Sequence, residues 1–227
     1  MDQPGITPGV LEFLGELKAN NNREWFEAHK PRFRKIQGQV GQFFDEVANN
    51  LRKHDEIERV KMFRIYRDVR FSSDKTPYKP HFAGSFSRAG AHLRGGYYLR
   101  IRPGETFAAV GFWDPRPPDL LRIRKELELD ATEFRASIND PGFRRIWGEL
   151  QGDAVKTAPK GFSRDHEAID LIRHKQFIFV REFTDAQVVS PGFIKELDTS
   201  YLAVRPWFDL MSQILTTNLN GESLLNQ

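Results

Sequence analysis

The chain has 227 residues, 39% hydrophobic and 29% charged, and its net charge at neutral pH is +3. That composition excludes a disordered tail, a collagen-like fibre and a disulfide-stapled mini-protein. With no cysteine, the sequence also excludes disulfides, thiolate zinc sites, iron–sulfur clusters and a cysteine nucleophile.

Thr7-Pro8 predicts a helix start, with the threonine as cap and the proline in the first turn. Val10, Leu11, Phe13, Leu14 and Leu17 follow at helical spacing. Asn20, Asn21 and Asn22 break that helix. Asn22 is placed to cap a short second helix carrying Trp25 and Phe26, which Pro31 is expected to interrupt. Phe33, Ile36, Val40, Phe43, Val47 and Leu51 then recur every three or four residues, the pattern of a long amphipathic helix ending near Lys53.

The period next changes to two. Over residues 60–71 alternation puts Arg64, Tyr66, Asp68 and Arg70 on one strand face and Phe63, Ile65, Val69 and Phe71 on the other, with Arg67 the exception. Residues 72–80 read as a loop pinned by Pro77 and Pro80. Residues 97–102 and 106–113 read as two strands of a hairpin that turns at Pro103-Gly104. Asp119 and Asp130 are candidate caps for two helices, through Leu127 and Ile138. Short helices are expected near residues 143–150 and 167–173, a loop at 158–163 and an apolar strand at 176–183. A closing helix from Pro191 carries Phe193, Leu197, Tyr201, Leu202 and Phe208 and bends at Pro206. Residues 219–227 are polar and expected to fray. The chain therefore reads as a single α+β domain over 1–227, with a mostly antiparallel central sheet flanked by N- and C-terminal helices.

Familiar catalytic signatures are missing from the sequence. There is no glycine-rich phosphate loop, no dinucleotide fingerprint, no helical His-x-x-x-His pair and no Gly-x-Ser-x-Gly elbow. Asp165, His166 and Asp170 are close enough to suggest metal ligands, but nothing else completes a site, and helix capping by Asp165 is the plainer reading. No metal and no cofactor is expected. No apolar run approaches the roughly eighteen residues of a spanning helix. The opening MDQPGITPGV has neither a charged leader nor an apolar core, so a cytoplasmic protein away from the membrane is expected.

The charge is unevenly spread. Residues 61–102 hold ten Lys and Arg but only two carboxylates, Asp68 and Asp74. These cations must pair with acids from elsewhere or face an anion. The densest part, Arg64 to Lys79, offers Arg64, Arg67, Arg70, Lys75 and Lys79 as ligand-binding residues, since guanidinium forks on a fixed strand and loop suit phosphate or carboxylate. Arg100 and Arg102 share one face of the following strand and strengthen that reading. Lys160 is a further candidate, with Arg124, Arg173 and Lys175 placed by spacing no better than nearby. If the site is catalytic, Asp68 or Asp74 is the candidate general base and Tyr66 or Tyr78 the proton donor. A carboxylate among so many cations is expected to stay ionised, which suits nucleophile or metal duty better than acid duty.

Two stretches resemble a known family. Asn21-Asn22-Arg23-Glu24-Trp25-Phe26-x-x-His29-Lys30 and Arg64-Ile65-x-Arg67-Asp68-x-Arg70-Phe71-Ser72-x-Asp74-Lys75-Thr76-Pro77-Tyr78-Lys79 are similar to a widespread microbial family, bacterial and also fungal, known only as a domain of unknown function. Gly96-Tyr97-Tyr98-Leu99, Arg122-Ile123-Arg124 and Ala158-Pro159-Lys160-Gly161-Phe162 extend the resemblance over about nine tenths of the chain. Pro80, where a threonine is common, and Trp113-Asp114-Pro115 depart from the pattern. The resemblance implies a compact α+β domain and brings no catalytic residues.

Three functions remain open on the sequence. The leading one is a fixed basic site for a small phosphate- or carboxylate-bearing ligand, with or without catalysis. The second is a single-stranded nucleic-acid surface, in which Phe63, Tyr66, Phe71, Tyr78, Phe82 and Phe86 stack bases between the cations. The third is a structural or partner-binding domain whose Arg67 and Arg70 are locked by Asp68 and Asp74 into an ion-pair lattice. A small anion is favoured over nucleic acid, and no protein partner can be named.

Overall fold

A computed structural model describes residues 4–225. The described residues form an α+β fold, in which five strands make one antiparallel sheet in the order β1-β2-β3-β4-β5, flanked by N- and C-terminal helices. The order follows the chain, so every sheet neighbour is also a sequence neighbour.

Helix α1 (Pro8–Ala19) buries Val10, Leu11, Phe13, Leu14 and Leu17, the stripe read from the sequence. Pro8 starts it without a side-chain cap; the Thr7 hydroxyl instead accepts from the Gln39 amide at 3.1 Å. Asn22 does cap the next helix, accepting from the Trp25 amide at 2.9 Å. That helix, α2 (Arg23–Leu51), corrects the sequence reading, because Pro31 lies inside it and does not interrupt it. Phe26 lies seven positions before Phe33, so both fall on one stripe with Ile36, Val40, Phe43 and Val47, and all are buried. Burying that stripe outweighs the roughly 3 kcal/mol that an interior proline costs a helix.

Strand β1 (Ile57–Met62) ends where the alternating segment was expected to carry on. A long loop leads from it to β2 (Phe82–Arg88), a strand that the sequence reading missed. Gly84 in β2 permits close packing on α2, since a Cβ there would lie 2.5 Å from the Phe44 ring and 2.8 Å from the Lys61 carbonyl. The hairpin β3 (Gly96–Ile101) and β4 (Thr106–Phe112) forms as read, turning through Gly104 at φ +70°. Tyr97, Leu99 and Ile101 point into the core, while Arg100 and Arg102 remain partly exposed.

Helix α3 (Pro117–Leu129) begins at its prolines; Asp119 sits inside its first turn, paired with Arg94 and Arg116, so it is not the cap. Asp130 accepts from the Thr132 amide at 2.8 Å at the start of α4 (Thr132–Asn139). Helices α5 (Pro141–Trp147) and α6 (Ile169–Ile172) and strand β5 (Phe177–Phe183) match their expected places. A short helix α7 (Asp185–Val188), closed by a Thr184–Gln187 capping box, was not foreseen. The closing helix is two helices, α8 (Phe193–Ala203) and α9 (Arg205–Thr216), because Pro206 starts a new one in place of a bend. In the tail, Asn218 accepts from the Asn220 and Glu222 amides, and the Leu224 amide donates to the Thr216 carbonyl at 2.8 Å. Those bonds tie down residues expected to fray, of which the last two lie outside the described residues.

The chain divides into two compact units. One holds the described residues up to Phe86 with Tyr98–Ala108 and Glu182–Thr199. The other holds Ser87–Tyr97, Ala109–Arg181 and the described residues from Ser200 onward. The core of the first is built on Phe13, Phe26, Phe43, Phe44, Phe82 and Phe86; the second is built on Tyr97, Trp147, Phe177, Phe179, Tyr201 and Trp207. Among the described residues no helix is long and apolar enough to cross a membrane.

Candidate functional site

The loop between β1 and β2 is closed at its base by backbone pairing. Tyr66 and Tyr78 form an antiparallel bridge, the Arg67 amide donates to the Pro77 carbonyl at 2.9 Å and the Lys79 amide to the Ile65 carbonyl at 2.8 Å. Asn21, in the turn between α1 and α2, clamps this base. Its side chain donates to the Tyr78 carbonyl at 2.9 Å and accepts from the Tyr78 amide at 3.1 Å. The Tyr78 ring is buried, stacked on Phe26 with ring centroids 4.0 Å apart.

Within the loop, Asp74 accepts from the Thr76 amide at 2.9 Å and from the Thr76 hydroxyl at 2.7 Å, and pairs with Arg67. Arg67 also donates to the Thr76 hydroxyl oxygen at 3.0 Å. These bonds hold the Asp74 carboxyl below its ordinary value, with the Thr76 amide the largest cause, then the Thr76 hydroxyl and Arg67.

The alternation read from the sequence survives as burial as far as Arg70 even though the strand does not continue, but Phe71, expected on the inner face, is 98% exposed. Ile65, Arg67 and Val69 turn inward, and Arg64, Tyr66, Asp68 and Arg70 are exposed. The residue that broke the pattern, Arg67, therefore turns inward with Ile65 and Val69. It lines a cavity of about 440 Å³ with Lys18, Asn21, Asp74, Thr76, Lys79, Pro80, His81 and Arg102, all in the first unit. Four cations thus meet one carboxylate around a space of small-molecule size. Arg102 is shared with Glu105 at 3.1 Å, and its Nε is buried without a hydrogen-bond partner. His81 likewise has a buried Nδ1 without a partner. Burial, then the charges of Arg100, Lys79, Arg102 and Arg67, push the His81 pKa down to about 4, so the imidazole is neutral at physiological pH.

Of the expected ligand-binding residues, the structure brings together Arg67, Lys79 and Arg102, with Asp74 beside them. The others lie elsewhere. Arg70 is exposed and bound by Asp68 at 2.6 Å, which holds the Asp68 carboxyl below its ordinary value. Lys75 donates to the Val69 carbonyl at 2.9 Å. Arg64 is on the solvent face. Arg100 stacks over Phe107 at 4.3 Å and lines a separate hollow beside Thr106. Lys160 is exposed in the other unit. The four catalytic candidates do not meet at one point: Asp74 lines the cavity, the Tyr66 and Tyr78 rings lie 5.5 Å apart with Tyr66 exposed and Tyr78 in the core, and Asp68 is exposed and bound to Arg70.

Lys18, Asn21, Thr76 and His81 were not picked out by sequence reasoning. Lys18 reads as a cation suited to the end of α1, and Asn21 as a helix breaker. Asp170 is taken by Arg135 at 2.6 Å, and His166 accepts from the Ala168 amide while its Nε2 contacts the Glu128 carbonyl. Among the described residues no group of three or more His, Asp or Glu is placed to hold a metal.

Fold and site together define an α+β protein with a cationic cavity at the base of a clamped loop. A family model of conserved hypothetical proteins, DUF2461, matches residues 9–210, and the chain belongs to that family. No curated protein and no solved structure matches it significantly.

Proposed function

We propose that the cavity binds a small molecule through a phosphate or carboxylate group. The observation that supports this most is the gathering of Lys18, Arg67, Lys79 and Arg102 around about 440 Å³ with Asp74 as the one carboxylate of the lining. A bound anion offsets the mutual repulsion of these cations and accepts their hydrogen bonds in a partly desolvated setting, where each is stronger than in water.

The nucleic-acid reading loses its aromatic platform. Tyr78, Phe82 and Phe86 are in the core, and only Tyr66 and Phe71 of the six expected stackers are largely exposed, at 43% and 98%. The ion-pair reading keeps a specific observation, the Arg67–Asp74 and Arg70–Asp68 pairs. Both are exposed on at least one side, and such pairs stabilise little.

A thermal-shift series with phosphate, sulfate, sugar phosphates, nucleotides and dicarboxylates, at two salt concentrations, tests the proposal. A saturable rise with one class of small anion, abolished in Lys79→Met, is the expected result. A lattice would show no ligand-dependent rise, and Arg67→Ala would chiefly lower the melting temperature. A response to oligonucleotides alone, fading in salt, would favour the nucleic-acid reading.

A further inference from the structure

The cavity contains one group that the anion reading does not yet use. His81 contributes no charge to the free site, its Nδ1 is buried without a partner, and it shares the lining with Arg67, Lys79, Arg102, Lys18 and Asp74, with Arg100 also acting on it. The Nε of Arg102 is the second buried, unpartnered polar atom of the same lining. Buried polar atoms are nearly always hydrogen-bonded, and two orphans on residues of one lining mark a site short of acceptors, which a bound anion supplies.

We propose that this cavity recognises the doubly charged phosphate of a phosphate monoester, and that its binding is coupled to uptake of one proton from solvent by His81. The inference rests on the anion-binding reading above. A carboxylate brings one negative charge to four cations and a single carboxylate. A phosphate dianion brings two charges and three terminal oxygens, enough acceptors for Arg67, Lys79 and Arg102 together. It also reverses the local field at His81. The cations that oppose an imidazolium in the free site are then outweighed at close range, and a phosphate oxygen accepts from the protonated ring.

The sign of the pH dependence follows. His81 titrates higher in the complex than in the free protein, where burial and the neighbouring cations hold it near 4. The extra affinity is fully present below the free value and is lost as pH rises through the value in the complex, by at most about tenfold per pH unit. A ligand of fixed charge is therefore bound more tightly at acid pH, whereas for a phosphate monoester, which gains its own proton near 6, that gain is confined to the range above about 6.

Inorganic sulfate is the cleanest probe, because it stays doubly charged across the range while a phosphate monoester itself titrates near 6. The test is calorimetric titration of sulfate at about pH 5.5 and about pH 7.5, in two buffers of different ionisation enthalpy, for the wild type and His81→Gln. The expected result is proton uptake on binding, an affinity several-fold higher at the lower pH, and a flat profile without uptake in His81→Gln. Sulfate binding with no proton uptake in the wild type overturns the coupling and leaves the anion site standing. Acetate binding as tightly as sulfate overturns the preference for a dianion. No binding of sulfate or inorganic phosphate at either pH overturns the anion reading and the coupling with it. A readout that needs no variant is the His81 ring-nitrogen NMR signal. It is expected to move from the neutral to the charged pattern when sulfate is added near pH 6, and an unchanged neutral signal in the sulfate-bound protein overturns the coupling.

Discussion

The Asn21 side chain bonds both the amide and the carbonyl of Tyr78, 57 positions away in sequence, and so fixes the base of the loop that carries Arg67 and Lys79. Asn21→Ala leaves two part-buried backbone groups unpaired, which is expected to cost about 1–3 kcal/mol in urea unfolding. Asp74 has the opposite relation to the site. Asp74→Asn retains an oxygen for the Thr76 amide but removes the only carboxylate of the lining. The expected outcome is a slightly less stable protein that binds sulfate several-fold more tightly, whereas a purely structural ion pair predicts the loss of stability alone. The pH sign is also fixed: the folded-state value of Asp74 lies below the ordinary 3.8, so its contribution is present above that value and lost as pH falls through the depressed one. The stability curves of wild type and Asp74→Asn should therefore converge in strong acid.

Among the elements, Pro31 and Gly111 show how tertiary packing overrides local preference. Pro31 removes a backbone donor from the interior of α2, and the helix runs on because Phe26 and Phe33 are buried on the same stripe. Pro31→Ala restores that donor and is expected to raise stability by about 1–2 kcal/mol, checked by chemical unfolding. Gly111 in β4 has φ +123°, and a Cβ there would lie 2.2 Å from the Phe177 carbonyl oxygen. Gly111→Ala is thus expected to destabilise by several kcal/mol or to prevent folding. Helices α1 and α3 to α6, the β3–β4 hairpin and β5 were legible from apolar spacing and from Pro8, Pro117 and Pro141, although the expected caps Thr7 and Asp119 do not cap. Strand β2 was not, since in Phe82–Arg88 a glycine and an arginine, Gly84 and Arg88, stand in the buried half of the alternation with Phe82 and Phe86. The run beyond Met62 looked like a strand because its side chains alternate in burial as far as Arg70, although after the Phe63 amide, which donates to the Ala83 carbonyl at 2.8 Å, backbone pairing returns only at Ile65 to Arg67. For the site, the sequence located the loop and the Arg102 strand, while Lys18, Asn21 and His81 reach the cavity through tertiary folding that no spacing rule encodes.

At the scale of the molecule, five cations of the block of residues 61–102 fall into two uses. Arg88 is buried, donating to the Arg94 carbonyl at 2.8 Å and pairing with Asp209, and Arg94 pairs with Asp119 at 2.7 Å. These cations are committed to holding the second unit together, and Arg88, whose side chain is fully buried, would be left an uncompensated buried charge without its acceptors. Arg67, Lys79 and Arg102 are instead gathered at a cavity of the first unit. A net charge of only +3 for the whole chain gives little general attraction for polyanions, so recognition has to be local.

The most direct test of that claim is the melting temperature as a function of inorganic phosphate concentration, for the wild type and for Arg102→Gln. A site filled at about a hundredfold its dissociation constant stabilises by about 2.7 kcal/mol, a rise of roughly 5–10 °C for a protein of this size. The account predicts that rise in the wild type and its near-complete loss in Arg102→Gln. An equal rise in both proteins would mean that phosphate acts on the surface at large, and would contradict a binding site in this cavity.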